Sequence, residues 1–228
     1  VSSIITGTGW ASSLEHDARK AAKRQGIRSI AVLDHWTNYA ERFNRDGATV
    51  LPDEIWVVDR YAEQLARRLF PEIMVSRHKD CYAEQQIEKI VPISVTTPNE
   101  LLYLLEPARS DWKRGEPGEF QALRFFIDCL PRLGLPEGLS ICLRPHPSDP
   151  PGKYDSFLGH VGGIQVSHAS GTLAEALSRS RWVAGCQTYA MTLALRAGRV
   201  VYGSLPPWAP PCVLPHEGIV HLKNSGFV

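Results

Sequence analysis

The sequence predicts an α/β chain built from two Rossmann-like halves, each on a parallel sheet. Short apolar runs alternate along the chain with amphipathic stretches of helical length, the rhythm that covers a parallel sheet on both faces. Most runs end in a turn bearing glycine, proline or hydroxyl residues. The length of 228 residues suits one large domain or two small ones. A hydrophobic share of 43% with 21% charged residues is that of a soluble globular chain, so a packed core is attainable.

The first half, residues 1–92, opens on a buried strand from Val1 to Thr6 that breaks at Thr6-Gly7-Thr8-Gly9. Ser12 or Ser13 caps a helix running to about Gln25, with Leu14, Ala18, Ala21 and Ala22 on one face and Gly26 as its stop. Ile30 to Leu33 is a second strand, ending in Asp34-His35-Trp36. A third, Glu54 to Val58, feeds a helix from about Arg60 to Phe70 that Pro71 closes. The stretch from Cys81 to Ile90 is helical in pattern, and Pro92 marks the break between halves. About three strands are visible where a full Rossmann domain has around six. The chain starts at Val1 inside a strand-like run, so the first half is expected to be cut or reduced.

The second half, residues 93–228, begins with a strand at Leu101 to Leu105 and a polar loop from Arg109 to Gly118. A helix follows from Glu119 to Leu133 with Phe120, Leu123, Ile127 and Leu130 on its apolar face. Strands are expected at Leu139–Leu143, Ile164–Ser167, Trp182–Ala184 and Val200–Tyr202. Helices at Thr172–Ser178 and Tyr189–Ala197 separate the last three, and the proline-rich stretch from Pro206 to Pro215 reads as irregular.

Composition excludes several function classes. Lys and Arg number 25 against 24 Asp and Glu, too little surplus for a dedicated nucleic-acid binder. Cys81, Cys129, Cys142, Cys186 and Cys212 are scattered and odd in number, which argues against a disulfide framework or zinc site and for a reducing, cytoplasmic setting. No apolar run reaches the roughly 18 residues of a membrane span, which leaves peripheral membrane association open. No signal peptide is visible. No Asp-x-Asp pair occurs to hold a divalent metal on a sugar diphosphate, and no lysine follows a glycine-rich loop in the manner of a P-loop.

In open parallel sheets ligands bind beyond the carboxyl ends of the strands, often at helix N-termini. The residues just after each strand therefore carry the functional reading. Arg144-Pro145-His146-Pro147 is the strongest candidate: two prolines stiffen a turn that presents an imidazole beside a guanidinium, a pair suited to a phosphate leaving group. An exposed proline turn is the bland alternative. Ser170, Gly171 and Thr172 open the next helix, with Glu175 at capping-box spacing from Thr172, so Thr172 reads as a cap while His168 and Ser170 face ligand. Gln187 and Thr188 repeat the arrangement one helix later, with Thr188 a cap or a phosphate contact. In the first half Gly7, Thr8 and Gly9 let backbone approach a ligand, although Ser12 stands where a third fingerprint glycine would fall. Glu15 is either a general base toward an acceptor hydroxyl or a partner of the helix dipole. Asp34 and His35 could serve the same chemistry or merely cap their turn. Trp36, Trp56 and Trp208 are candidates for stacking on sugars or bases, and equally for packing.

The RPHP turn followed by two hydroxyl-bearing helix starts resembles the C-terminal domain of GT-B transferases, especially bacterial polysialyltransferases and teichoic-acid CDP-glycerol glycerophosphotransferases. The resemblance implies that His146 contacts the donor phosphate, with Ser170 and Thr188 as further contacts and Glu15 as the acceptor-side base. It implies no cofactor: the nucleotide-activated donor is a substrate, and the acceptor a saccharide. One departure stands out. Where many GT-B enzymes place a ribose-binding glutamate in the last helix, this chain reads Met191-Thr192-Leu193-Ala194-Leu195.

The expected chemistry is metal-independent displacement. An acceptor hydroxyl, deprotonated by Glu15 or Asp34, attacks the donor while Arg144, His146 and helix N-termini hold the departing phosphate. The rivals are a sugar-nucleotide epimerase or hydrolase on the same scaffold, and a noncatalytic binding protein.

Overall fold

The computed structural model describes residues 1–9 and 12–224. The chain is α/β with parallel sheets, as the sequence predicts, and divides into two compact units, Val1–Cys81 and Tyr82–Val228. The stretch up to Val91, read from sequence as part of the first half, is tied to residues of the second unit. Its Val91 amide donates to Ser178 Oγ at 2.9 Å, and Arg199 donates to the Val91 carbonyl at 2.5 Å.

The first unit runs β1 (Ser3–Thr6), α1 (Leu14–Arg24), β2 (Arg28–Leu33), α2 (Tyr39–Arg42), a small hairpin of β3 (Asn44–Arg45) and β4 (Ala48–Thr49), β5 (Glu54–Val57), α3 (Arg60–Leu69) and β6 (Met74–Arg77). Among the described residues its main sheet has four parallel strands in the order β1-β2-β5-β6. The fourth, β6, was not expected from the sequence: it is only Met-Val-Ser-Arg, too short and too polar to show a period. Local chemistry accounts for the helices. Glu15 and Asp17 sit in the first turn of α1 and Lys23 and Arg24 in its last, matching the helix dipole. Gly26, at φ +64°, ends it. Asp59 caps α3 by accepting the Ala62 amide at 2.7 Å.

The register puts Ala31 beside Ile55 and Leu33 beside Val57 on one sheet face, and all four are fully buried. The other face holds a buried carboxyl, Glu54, which accepts from Ser76 Oγ at 2.6 Å and Trp56 Nε1 at 2.9 Å and pairs with Arg28.

The second unit takes up α4 (Cys81–Ile87), which starts at the boundary, then β7 (Glu100–Leu104), α5 (Gly118–Cys129), β8 (Ser140–Arg144), β9 (Gly159–Val161), β10 (Ile164–His168), α6 (Leu173–Arg179), β11 (Trp182–Gly185), α7 (Tyr189–Arg196), β12 (Val200–Gly203) and β13 (Ile219–His221). Its sheet, of seven described strands, has the order β13-β12-β11-β7-β8-β10-β9, parallel except for β9 against β10. The edge strand β13 follows the proline-rich stretch and escaped the sequence reading because it has three residues.

From β7 the chain builds outward through β8 to β10, then returns to lay β11 on β7's other side and build outward again through β12 and β13. The order therefore reverses between β7 and β11, and such a reversal leaves a crevice beyond the strand ends. Leu101, Tyr103, Leu123, Phe126, Ile141, Leu143, Tyr154, Ala184 and Leu222 form the core beneath it.

Candidate functional site

The strand ends of the first unit gather the candidates expected there. The carbonyls of Gly7, Thr8 and Gly9 are each held by a different arginine: Arg19 at 3.0 Å, Arg42 at 3.3 Å and Arg45 at 2.7 Å. Glu15 accepts the Gly9 amide at 2.6 Å, and its carboxylate lies where a Cβ on Gly7 would be. The loop is thus braced by three guanidiniums and a carboxylate, and glycine at position 7 makes room for the carboxylate. Asp34 is exposed and lies 3.7 Å from Arg42. His35 Nδ1 accepts the Trp36 amide at 3.0 Å, so in the neutral ring the proton resides on Nε2. Burial, then Arg42, holds the His35 pKa below its usual range. A neutral His35 in that tautomer is a hydrogen-bond donor, which suits it to orienting a ligand better than to taking its proton.

In the second unit three strands, β11, β8 and β10, end in candidate residues along the carboxyl edge of the sheet, with β7 lying between β11 and β8. Three strand spacings of about 4.8 Å give the row a length of roughly 14 Å. Arg144 ends β8 and donates to the Gly171 carbonyl at 2.9 Å, while Arg179 of α6 holds the Ser170 carbonyl at 2.9 Å. Burial, then Arg179, pulls Arg144 below the usual arginine range. Two guanidiniums thus flank the Ser170-Gly171 turn.

The RPHP turn is anchored by Asp149, whose carboxylate accepts the His146 amide at 2.9 Å. His146 Nδ1 accepts the Ser148 amide at 3.1 Å and contacts Ser148 Oγ at 2.7 Å. The neutral ring therefore carries its proton on Nε2, as a donor for an anionic oxygen.

The two hydroxyl-bearing helix starts differ. Thr172 forms a full capping box with Glu175, so its side chain is committed to α6. Thr188 precedes α7 but makes no side-chain capping bond.

A crevice of about 380 Å³ opens at the reversal point, lined by Glu106, Arg109, Trp112, Gln187, Leu205 and Pro210 among others. This falls in the range of ordinary small-molecule sites. Among the described residues, no three His, Cys, Asp or Glu side chains gather as a metal site, and no helix is long and apolar enough to cross a membrane.

No protein-family model and no curated protein matches the chain. Solved structures do. The chain is similar to the UDP-GlcNAc 2-epimerase of Methanocaldococcus jannaschii, with a TM-score of 0.50 and 11% identity over 89% of this chain and 60% of that one. The KpsC β-Kdo 2,7 transferase of Thermosulfurimonas dismutans gives a TM-score of 0.42 and 12% identity over 96% of this chain and 83% of that one. The likeness to the epimerase is one of fold. The chain spans 60% of the epimerase's length.

The residue that sequence reading passed over is Glu106. It stands two residues past β7, between the strand and the polar loop from Arg109 to Gly118 that the sequence shows. Burial pushes its carboxyl up to about 7, partly offset by the Gln187 amide that it accepts at 3.2 Å. A carboxyl in that range, inside a crevice, is the environment in which acid–base and binding groups are tuned. Trp112 lines the same crevice from a left-handed backbone, φ +47°, followed by Lys113 at φ +63°. Such geometry is strained for a bulky residue and survives only where packing over-determines it. Here the indole packs on Gly118 and joins Ala122, Cys186, Leu205 and Ala209.

Proposed function

We propose that this chain is a metal-independent transferase that moves a sugar or glycerophosphate from a nucleotide-activated donor to a saccharide acceptor, in bacterial surface-polysaccharide synthesis. The observation that carries the reading is the row of candidate groups along the second unit's sheet edge, spanning the reversal of strand order. His146 supplies an Nε2–H donor, and Arg144 a cation within the Ser170-Gly171 turn. Thr188 supplies a hydroxyl not spent on capping. All three suit a donor phosphate, whose developing charge a transferase must stabilise. On this reading the acceptor oxygen forms the new bond as the donor's bond to its phosphate oxygen breaks, and the acceptor proton passes to a carboxylate.

The test is a thermal-shift screen against CMP, CDP, UMP, UDP, GDP and ADP, with wild type and His146→Ala side by side. A ligand that binds only the folded state raises the melting temperature by mass action. Stabilisation of wild type by one nucleotide, lost in the variant, supports the donor site and identifies the base. No shift with any nucleotide overturns it. Consumption of the matching nucleotide-sugar without an acceptor would redirect the activity to epimerisation or hydrolysis.

A further inference from the structure

The crevice at the strand reversal holds a carboxyl where the donor-site reading places an anionic ligand, and that conflict gives Glu106 a role. Its Oε2 accepts the Gln187 amide at 3.2 Å. Pro107, Trp112, Leu205 and Pro210 wall the space with apolar surface, so charges inside are weakly screened. Arg109 lines it from Glu106's own loop. From the neighbouring elements Tyr103, Cys186 and Cys212 face the same region; burial first, with the Glu106 charge also contributing, raises the pKa of each, so all three stay uncharged at neutral pH. Glu119, behind Ala108, is paired with Lys153 at 2.7 Å, a cation it shares with Asp149. A phosphate oxygen reaching the Gln187 amide would meet the Glu106 carboxylate at hydrogen-bond range, and two anions so close cannot both stay ionised. A protonated carboxyl instead donates its O–H to that oxygen.

Resting on the donor-site reading, we propose that Glu106 sets the charge of this crevice: an anionic ligand enters with uptake of one solvent proton by the Glu106 carboxylate, which then donates a hydrogen bond to it. The proton returns to solvent on release, and no covalent bond changes. Burial has already brought the carboxyl to about 7, so uptake is easy at neutral pH and increasingly unfavourable above it.

The experiment is calorimetric titration of wild type and Glu106→Gln with CDP and with inorganic pyrophosphate. It runs across neutral to mildly alkaline pH, in two buffers of different ionisation enthalpy. After correction for each probe's own ionisation, wild-type affinity should fall ever more steeply above neutrality, toward about tenfold per pH unit, with proton uptake rising from about half a proton per probe near neutrality toward one. Glu106→Gln should bind at least as tightly as wild type at neutral pH, keep that affinity at higher pH and take up no proton. The amide shift of Gln187 in ligand-free wild type should titrate with one midpoint near neutrality, a readout independent of any probe. Binding of CDP with the same pH slope in both proteins overturns the gate and leaves the donor site standing. Gated binding of pyrophosphate without CDP binding keeps the gate and removes the nucleotide reading. Binding of neither probe at any pH overturns both.

Discussion

The ammonium of Lys153 lies 2.7 Å from the carboxylate of Glu119. At the same distance it meets Asp149, so one cation joins the turn that carries His146 to the loop that opens at Glu106. Burial opposes its charge, but hydrogen bonds to Asp149 and Glu119 prevail and raise its pKa.

Lys153→Met should therefore be among the most destabilising single changes in the second unit. It would leave two buried carboxylates without a counter-charge, a loss of about 3–5 kcal/mol. Urea unfolding checks this, and a change under ~0.5 kcal/mol would show that the carboxylates find other partners.

Gly118→Ala tests the strained loop. The new Cβ would fall 2.7 Å from the Trp112 ring and 2.8 Å from the Ala108 Cβ. Overpacking of this kind costs about 1–3 kcal/mol. The expected outcome is that loss together with weaker nucleotide binding, since the displaced indole lines the crevice.

Thr172 and Thr188 should separate structure from binding. Thr172→Ala removes a capping box and should cost about 1 kcal/mol in thermal unfolding. Thr188→Ala removes no cap and should leave the melting temperature of the free protein unchanged, while reducing the shift produced by the nucleotide. Equal stability losses in both variants would count against the assignment of Thr188.

Two glutamates give opposite pH signatures. Glu54 has its pKa lowered, chiefly by the Ser76 hydrogen bond against the pull of burial, so its stabilising effect is complete above the unfolded value and disappears as pH falls through the lower folded value. Glu106 has its pKa raised to about 7, so its contribution is full below the unfolded value and declines as pH rises toward 7, after which it is flat. Acid unfolding of Glu54→Gln should lose the low-pH slope. Glu106→Gln should lose the decline between the ordinary glutamate range and neutrality.

Much of the fold was legible because long apolar runs such as Leu101–Leu105 and Ile30–Leu33 leave no other use for themselves. Met74–Arg77 and Ile219–His221 were not, since their strand character comes from neighbours that complete the ladder. Likewise Arg144, His146, Gln187 and Thr188 stand at or just past strand ends in the structure as in the sequence, because their signal is local. Glu106 looks ordinary in sequence, and its burial depends on Trp112, Leu205 and the start of α7. The arginine bracket around Gly7, Thr8 and Gly9 was hidden for the same reason: Arg19, Arg42 and Arg45 reach the loop from distant positions.

The reversal of strand order also has a kinetic consequence. In the first unit each strand of the main sheet pairs with the next one made, so its loops to be closed are short. In the second, β7 waits for β11, and the hydrogen bond from Gln187 to Glu106 spans 81 positions of chain. Loop closure of that length is a slow, entropy-limited event. Loop-closure entropy therefore favours late pairing of β7 with β11 during refolding, and the crevice above that seam forms only once these two strands have joined.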